Sequence, residues 1–366
     1  MKISRIAQLG AVAAIAALTL AGCASNEGGT ASSPAADAPA GLSGTLNGSG
    51  ATSQQVAVQA WTAEFQTANP DVTVNYDPQG SGTGRESFQS GAVGFAGSDR
   101  AFKLDEIEAG PFDACVEGTD IVEIPAYVSP IAIAFNLEGI DSLDLDPATI
   151  AGIFAGTITN WNDPAIAATN DGVELPDLAI SPVHRSDKSG TTANFTDYLA
   201  QTADTVWTYG SVEEWPIQGG EAAQGTSGVV NAIKGGNGTI GYADHSQTTD
   251  LSTVSVQVGD EWVEPSAEGA AIALDASPLE EGRASTDLAY TIDRTTTEAG
   301  AYPVLLVSYL IGCTEYADPA AGALVKGFFS TAISDAGQQT AAENAGSAPI
   351  SAELAAQAQA AVDAIK

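Results

Sequence analysis

Leu178-Ala179-Ile180-Ser181-Pro182-Val183-His184-Arg185-Ser186-Asp187-Lys188-Ser189-Gly190-Thr191 is the passage on which the fold turns. Leu178–Val183 has the apolar, β-branched character of a strand, and it runs into a polar turn containing Gly, Ser and an arginine. Beyond the turn, Phe195 and Leu199 stand at i and i+4, the spacing of a buried helical face. A strand, a hydroxyl-rich turn and a helix in that order leave free backbone N–H groups at the helix start, where an anion is favoured.

The same grammar occurs twice upstream. Gly44–Gly48 reads as a short strand entering Gly48-Ser49-Gly50-Ala51-Thr52, followed by a helix with Val58, Trp61 and Phe65 on one face. Thr52 and Gln55 have the form of a capping box, which predicts a helix start at Thr52–Ser53. Asn69-Pro70-Asp71 stops that helix, and Val72–Tyr76 alternates as a strand. Gln79-Gly80-Ser81-Gly82-Thr83-Gly84 then reads as a turn before another short helix, and Ala92–Gly97 as a strand ending at Ser98-Asp99.

Further along, Ile121–Phe135 is strand-like with a break at Ser129-Pro130. Gly228–Ile233 reads as a helix and Thr239–Ala243, Val254–Val258 and Pro303–Ile311 as strands. Val325–Ile333 and Ala352–Ile365 read as helices. Strands alternating with helices predict an α/β protein with mainly parallel sheets. Turns of this kind gather at the carboxyl ends of the strands in such folds, so three of them with an arginine beside the third predict an oxyanion site.

The N-terminus has the features of an export signal. Lys2 and Arg5 precede an apolar stretch from Leu9 to Ala21, too short to span a bilayer, which ends in Leu20-Ala21-Gly22-Cys23. That is the pattern of a bacterial lipoprotein box, with residues 1–22 cleaved and the Cys23 thiol acylated. An ordinary secretory signal with a chance cysteine is the plainer alternative. Ala24–Ala40 is dominated by Ala, Ser, Gly and Pro, so 23–42 is expected to be a flexible tether. The roughly 320 residues that follow exceed a comfortable single core and predict two domains.

With Cys23 lipidated, Cys115 and Cys313 remain as an even pair in an oxidising compartment. They are expected to be disulfide-bonded, with two separate buried thiols as the alternative. The two cysteines and two histidines, His184 and His245, show no metal-ligand spacing.

Charge excludes several classes of partner. Forty-six acids face 12 bases, and the formal net charge of −34 moves to −36 when Lys2 and Arg5 leave. Nucleic acid and anionic membrane surfaces are poor partners for such a chain. The same field opposes capture of a small anion unless salt screens it, so an oxyanion site here must work by local, preorganised donors.

Asn47-Gly48-Ser49-Gly50-Ala51-Thr52, Asn75-Tyr76-Asp77-Pro78-Gln79-Gly80-Ser81-Gly82-Thr83-Gly84, Gly97-Ser98-Asp99, Ile158-Thr159-Asn160-Trp161-Asn162-Asp163-Pro164, His184–Thr192 and Gly238-Thr239-Ile240-Gly241-Tyr242 occur together. The set resembles the phosphate-binding subunit of the bacterial high-affinity phosphate ABC importer, from about Gly44 to the C-terminal helix. The resemblance implies a two-lobe periplasmic-binding-protein-like fold, with lobe I at 43–127 plus 301–366 and lobe II at 128–300. Phosphate would be dehydrated between the lobes and enclosed by hinge closure. It implies ligand contacts from Thr52 (hydroxyl), Ser53 (backbone N–H), Ser81, Asp99, Arg185, Ser189, Gly190 and Thr191, with Asp187 orienting Arg185.

The resemblance further implies no catalytic activity and no cofactor. The expected protein is a monomer that delivers phosphate to permease subunits from a lipid anchor on the outer face of the cytoplasmic membrane. Each motif has a plainer reading alone: Arg185-x-Asp187 is also a surface ion pair, Ser189-Gly190-Thr191 and Asp99 are also caps, and 80–84 is also a loop without the ending of a nucleotide-binding loop. Ser53 stands where the family more often has a large apolar residue, Lys188 where a small one is common, and Arg85 follows the glycine-rich turn as a possible extra ligand or a surface charge. The alternatives are a binder of another oxyanion, a phosphate sensor, and a secreted phosphate-ester hydrolase. Against the last, His184 with Ser181 and Ser186 is not a triad.

Overall fold

A computed structural model describes residues 41–366; the expected signal peptide at 1–22, Cys23 and the expected tether up to residue 40 lie outside the described residues. In chain order the elements begin with β1 (Gly44–Gly50), α1 (Gln55–Ala68), β2 (Val72–Asp77), α2 (Ser81–Gln89), β3 (Phe95–Ser98), α3 (Leu104–Ala109) and β4 (Ile121–Asn136). Next come β5 (Ser142–Leu145), α4 (Pro147–Phe154), α5 (Pro164–Ala167), β6 (Ser181–Arg185), α6 (Gly190–Thr202), β7 (Glu221–Ala223) and α7 (Gly225–Gly235). The chain continues through β8 (Thr239–Asp244), β9 (Ser252–Val258), β10 (Glu261–Val263), α8 (Ala267–Asp275), β11 (Leu305–Cys313), α9 (Pro319–Ile333), α10 (Asp335–Ala345) and α11 (Ala352–Asp363).

The strands hydrogen-bond in the order β2-β1-β3-β11-β4-β8-β6-β7, with β9 beside β4 and carrying β5 and β10. The outer pairs β1/β2, β1/β3, β6/β7, β6/β8 and β5/β9 are parallel. The two long inner strands run against their neighbours, in β11/β3, β11/β4, β4/β8 and β4/β9, which makes the whole a mixed sheet.

β4 organises this arrangement. Its first ten residues, Ile121 to Pro130, pair with β11, and from Ile131 to Asn136 it pairs with β8. The break expected at Ser129-Pro130 is absent: the strand is continuous. Proline lacks an N–H, and Pro130 falls where the ladder passes from one partner to the other, so the missing donor leaves no gap. Pro125 likewise sits at the register shift between Ser308 and Tyr309. Residues 121–135 and all of β11 are buried, so both strands read as unbroken apolar runs rather than alternating ones.

Aromatic clusters fix the helices on either side of the crossing strands. Trp61 of α1 is fully buried and its indole N–H donates to Gly337 O at 2.8 Å, while Phe95 packs on Phe328 at 5.2 Å between centroids. On the other side Tyr242 of β8 stacks on Phe195 of α6 at 4.3 Å, and Phe154 of α4 meets Phe195 edge-on at 4.7 Å. Tyr242 Oη also hydrogen-bonds Thr192 Oγ1 at 2.8 Å, so this cluster sets the height of the α6 N-terminus.

Cys115 and Cys313 form the expected disulfide, with Cα atoms 5.4 Å apart and a sequence separation of 198. It ties the loop after α3 to the end of β11. Replacing both by serine should lower the unfolding free energy by about 3–5 kcal/mol, because so long a closed loop restricts the unfolded chain strongly. Urea denaturation of the oxidised protein and the double variant measures this; a difference below about 0.5 kcal/mol contradicts it.

Candidate functional site

Five chain reversals at strand ends meet at one place. They are the β1–α1 turn with Thr52 and Ser53, the start of α2 at Ser81, the end of β3 at Asp99, the β6–α6 turn from Arg185 to Thr191, and the β7–α7 turn at Gly225–Thr226. The first three precede the crossing strand β4 and the last two follow it. Thr52, Ser53, Ser81, Asp99, Arg185, Ser189 and Thr191 are all buried, with none more than 9% exposed.

Asp99 is the centre of the group. Ser53 Oγ donates to its Oδ1 at 2.5 Å and Thr191 Oγ1 to its Oδ2 at 2.8 Å. Its backbone N–H donates to Ser81 Oγ at 3.1 Å, and Asn194 Nδ2 donates to its carbonyl at 2.6 Å. Burial pushes this carboxyl above its ordinary pKa, against the opposing hydrogen bonds of Ser53 and Thr191 and the charge of Arg185. Each carboxylate oxygen has two acceptor sites, so one on each remains beyond those two bonds.

Arg185 is held by Asp187. Nε donates to Oδ1 at 2.8 Å and Nη2 donates to Oδ2, while Gly225 N–H adds a third bond to Oδ1 at 3.0 Å. Burial raises the Asp187 carboxyl, but the bonds and charge of Arg185 and the Gly225 N–H outweigh it, so its pKa lies below the ordinary value. The pair fixes the guanidinium plane without consuming all of its donors.

Ser189 is the N-cap of α6, its Oγ accepting from Thr192 N–H at 3.1 Å. Gly190 follows because nothing larger fits: a Cβ there would stand 2.6 Å from Ser81 Oγ and 2.8 Å from Asp99 Cβ. Gly80 needs its positive φ of 104°, and Asp187 occupies the space a side chain would take. These two glycines let the β6–α6 turn close directly on the start of α2, where Gly82 N–H donates to Lys188 O at 3.1 Å.

Three details differ from the sequence reading. Thr52 and Gln55 form no capping box: α1 starts at Gln55 with no side-chain cap, and Thr52 Oγ1 instead accepts from Thr226 N–H at 3.1 Å and contacts Thr226 Oγ1 at 2.9 Å. Contact with α7 captures the hydroxyl that local sequence would assign to α1. Ser81-Gly82-Thr83-Gly84 is not a turn before α2 but its first turn. Ser53, expected to contribute its backbone, also places its side chain on Asp99.

Sequence reasoning passed over Thr226 and Asn194. Gln224-Gly225-Thr226 is a further strand–turn–helix junction of the kind found three times upstream, hidden because the helix was expected only from Gly228. Arg85 is buried and bound to Ser98 and Glu213, whereas Lys188 is an exposed partner of Glu86. Among the described residues, no group of three or more His, Cys, Asp or Glu is placed to hold a metal ion.

Residues 35–336 match the family model described as the PBP superfamily domain. The chain is 34% identical over 376 residues, the full length of both proteins, to phosphate-binding protein PstS3 of Mycobacterium bovis (strain BCG / Pasteur 1173P2). It is 31% identical over 379 residues, again the full length of both, to phosphate-binding protein PstS 2 of Mycobacterium tuberculosis (strain ATCC 25618 / H37Rv). It belongs to the PstS phosphate-binding protein family. The fold agrees with that membership. A high-affinity periplasmic phosphate-binding protein (PfluDING) bound with phosphate superposes with a TM-score of 0.68, covering 87% of this chain and 93% of that one at 23% identity.

In this family member the Arg185–Asp187 pair is a structural commitment as well as a site feature, since Arg185 keeps only 3% of its side chain exposed. Asp187→Ala strands that charge and should cost about 3 kcal/mol of unfolding free energy. Asp187→Asn, which keeps an acceptor, should cost less. Denaturant titration decides the order, and two variants as stable as the wild type would show that the guanidinium does not depend on Asp187.

Proposed function

We propose that this chain binds inorganic phosphate outside the cell and delivers it to the permease of an ABC importer. The single observation that carries this reading is the convergence of hydroxyls, helix N-termini and a fixed arginine around one buried carboxylate, Asp99. The family relationship and the names of the relatives point the same way. The work is binding rather than catalysis, done by a monomer. Cys23 would carry the lipid that holds it at the outer face of the cytoplasmic membrane. Among the described residues, no helix is long and apolar enough to cross a membrane.

In this reading 43–127 plus 301–366 form one lobe and 128–300 the other, hinged on the crossing strands. Thr52, Ser53, Ser81, Ser189, Gly190 and Thr191 surround the anion with hydroxyl and N–H groups. Arg185, oriented by Asp187, pairs with its charge. Asp99 supplies selectivity: a carboxylate can face phosphate because phosphate near neutral pH still carries an O–H to donate, whereas sulfate offers only bare oxygens. An unpaired buried carboxylate facing sulfate costs more than about 1–3 kcal/mol, enough for selectivity of tenfold or better.

The pH dependence follows in sign. Above its raised pKa, Asp99 is ionised and can only accept, so it demands a protonated ligand. Below that pKa it carries a proton and can donate to a bare oxygen. Calorimetric titration from mildly alkaline to mildly acidic pH should therefore show the preference for phosphate over sulfate shrinking as pH falls. Asp99→Asn should show a weak preference at every pH. Equal selectivity in wild type and Asp99→Asn would refute the role of Asp99, and a wild type that binds neither anion would refute the proposed function.

A further inference from the structure

Glu213 lies between α6 and β7 and joins both sides of the site without belonging to it. Its backbone carbonyl accepts from Ser189 N–H at 3.1 Å, holding the residue that caps α6. Its carboxylate accepts from Arg85 Nη2 at 2.6 and 2.7 Å and from Arg100 Nη2 at 2.7 Å. Both arginines bear on Asp99: Arg85 Nη1 donates to Ser98 Oγ at 2.6 Å, Ser98 Oγ donates to Arg100 O at 2.6 Å, and Asp99 lies between those two residues. One residue thus ties the segment around Asp99, through its carboxylate, to the turn that carries Ser189, Gly190 and Thr191, through its carbonyl.

Burial separates this link from an ordinary surface pair. The side chains of Arg85, Arg100 and Glu213 are 5%, 16% and 17% exposed, while the other ion pair bridging these segments, Lys188–Glu86, is 46% and 59% exposed. Arg85 and Arg100 repel each other: burial first, and then the Arg100 charge, lower the Arg85 pKa. Glu213 is the counterion they share, and Glu106 adds a second partner to Arg100 alone.

We propose that Glu213 is a positioning residue that locks the closed form and slows phosphate release without touching the ligand. The inference rests on the two-lobe phosphate-binding reading above. In that reading Arg85 and Arg100 belong to one lobe and Glu213 to the other, so the bonds exist only when the lobes are closed. An interaction made only in the closed state deepens that state and acts on dissociation rather than on encounter. Without the carboxylate, closing would bury two arginines with one counterion fewer, a strongly unfavourable exchange.

Stopped-flow association and dissociation rates for inorganic phosphate test this on wild type, Glu213→Gln and Glu86→Gln. Glu213→Gln should release phosphate about tenfold faster or more, with the association rate within about twofold or raised, since an acidic charge has left the cleft mouth. Glu86→Gln should change both rates by less than about twofold, as exposed pairs do. Thermal unfolding of the ligand-free variants checks that the fold is kept. Should Glu213→Gln not fold, Glu213→Asp decides: it keeps the charge but is too short to span both arginines, so release should again be faster. A folded variant at Glu213 with a wild-type release rate overturns the proposal. Wild type that binds no phosphate overturns the parent reading instead.

Discussion

Everything at this site depends on a carboxylate, Asp99, being kept dry and held by hydrogen bonds from two parts of the chain, with acceptor capacity to spare. Its two bonded hydroxyls come from opposite sides of β4 in sequence, Ser53 before it and Thr191 after it. That geometry requires the β6–α6 turn to approach the start of α2 without side chains in the way, which accounts for Gly190 and Gly80. It also requires the α6 N-terminus at a fixed height, which the Tyr242–Phe195–Phe154 cluster and the Thr192–Tyr242 bond provide. The crossing strands β4 and β11 supply the rigid frame against which these distances hold.

An anion site in so acidic a chain works by short-range chemistry. The formal charges gathered here, Arg185, Asp187 and Asp99, do not sum to a positive field. Attraction must come from N–H dipoles at helix starts and from hydroxyls, whose influence falls off within a turn or so of helix. Such short-range contacts outweigh the opposing field of the protein's distant charge only where the geometry holds to within ångströms. Long-range contacts such as Thr52–Thr226 and Asn194–Asp99, each joining segments before and after β4 in sequence, therefore matter as much to the site as the arginine does.

Much of this was legible in the sequence, for local reasons. The junctions near Thr52, Ser81 and Arg185 announce themselves because an apolar run ends in Gly, Ser and Thr and a helical period follows. The cysteine pair was legible by parity alone. Where reading failed, the cause was tertiary. α10 escaped notice because the face it buries consists of Gly337, Gln338, Ala341 and Ala345, which give little apolar period. The Thr52 hydroxyl was assigned to its own helix because its true partner lies 174 residues away. Pro130 suggested a break because nothing local shows that β4 changes partners there. Glu213 has no sequence signal, since its bond to Arg85 spans 128 residues.

The most direct test of the central claim is a crystal structure of the protein grown with phosphate. One phosphate should be enclosed beside Arg185, with an oxygen within hydrogen-bond distance of an Asp99 carboxylate oxygen and the others on the hydroxyls and N–H groups of the converging turns. An anion bound elsewhere, or one whose oxygens all avoid Asp99, would contradict it.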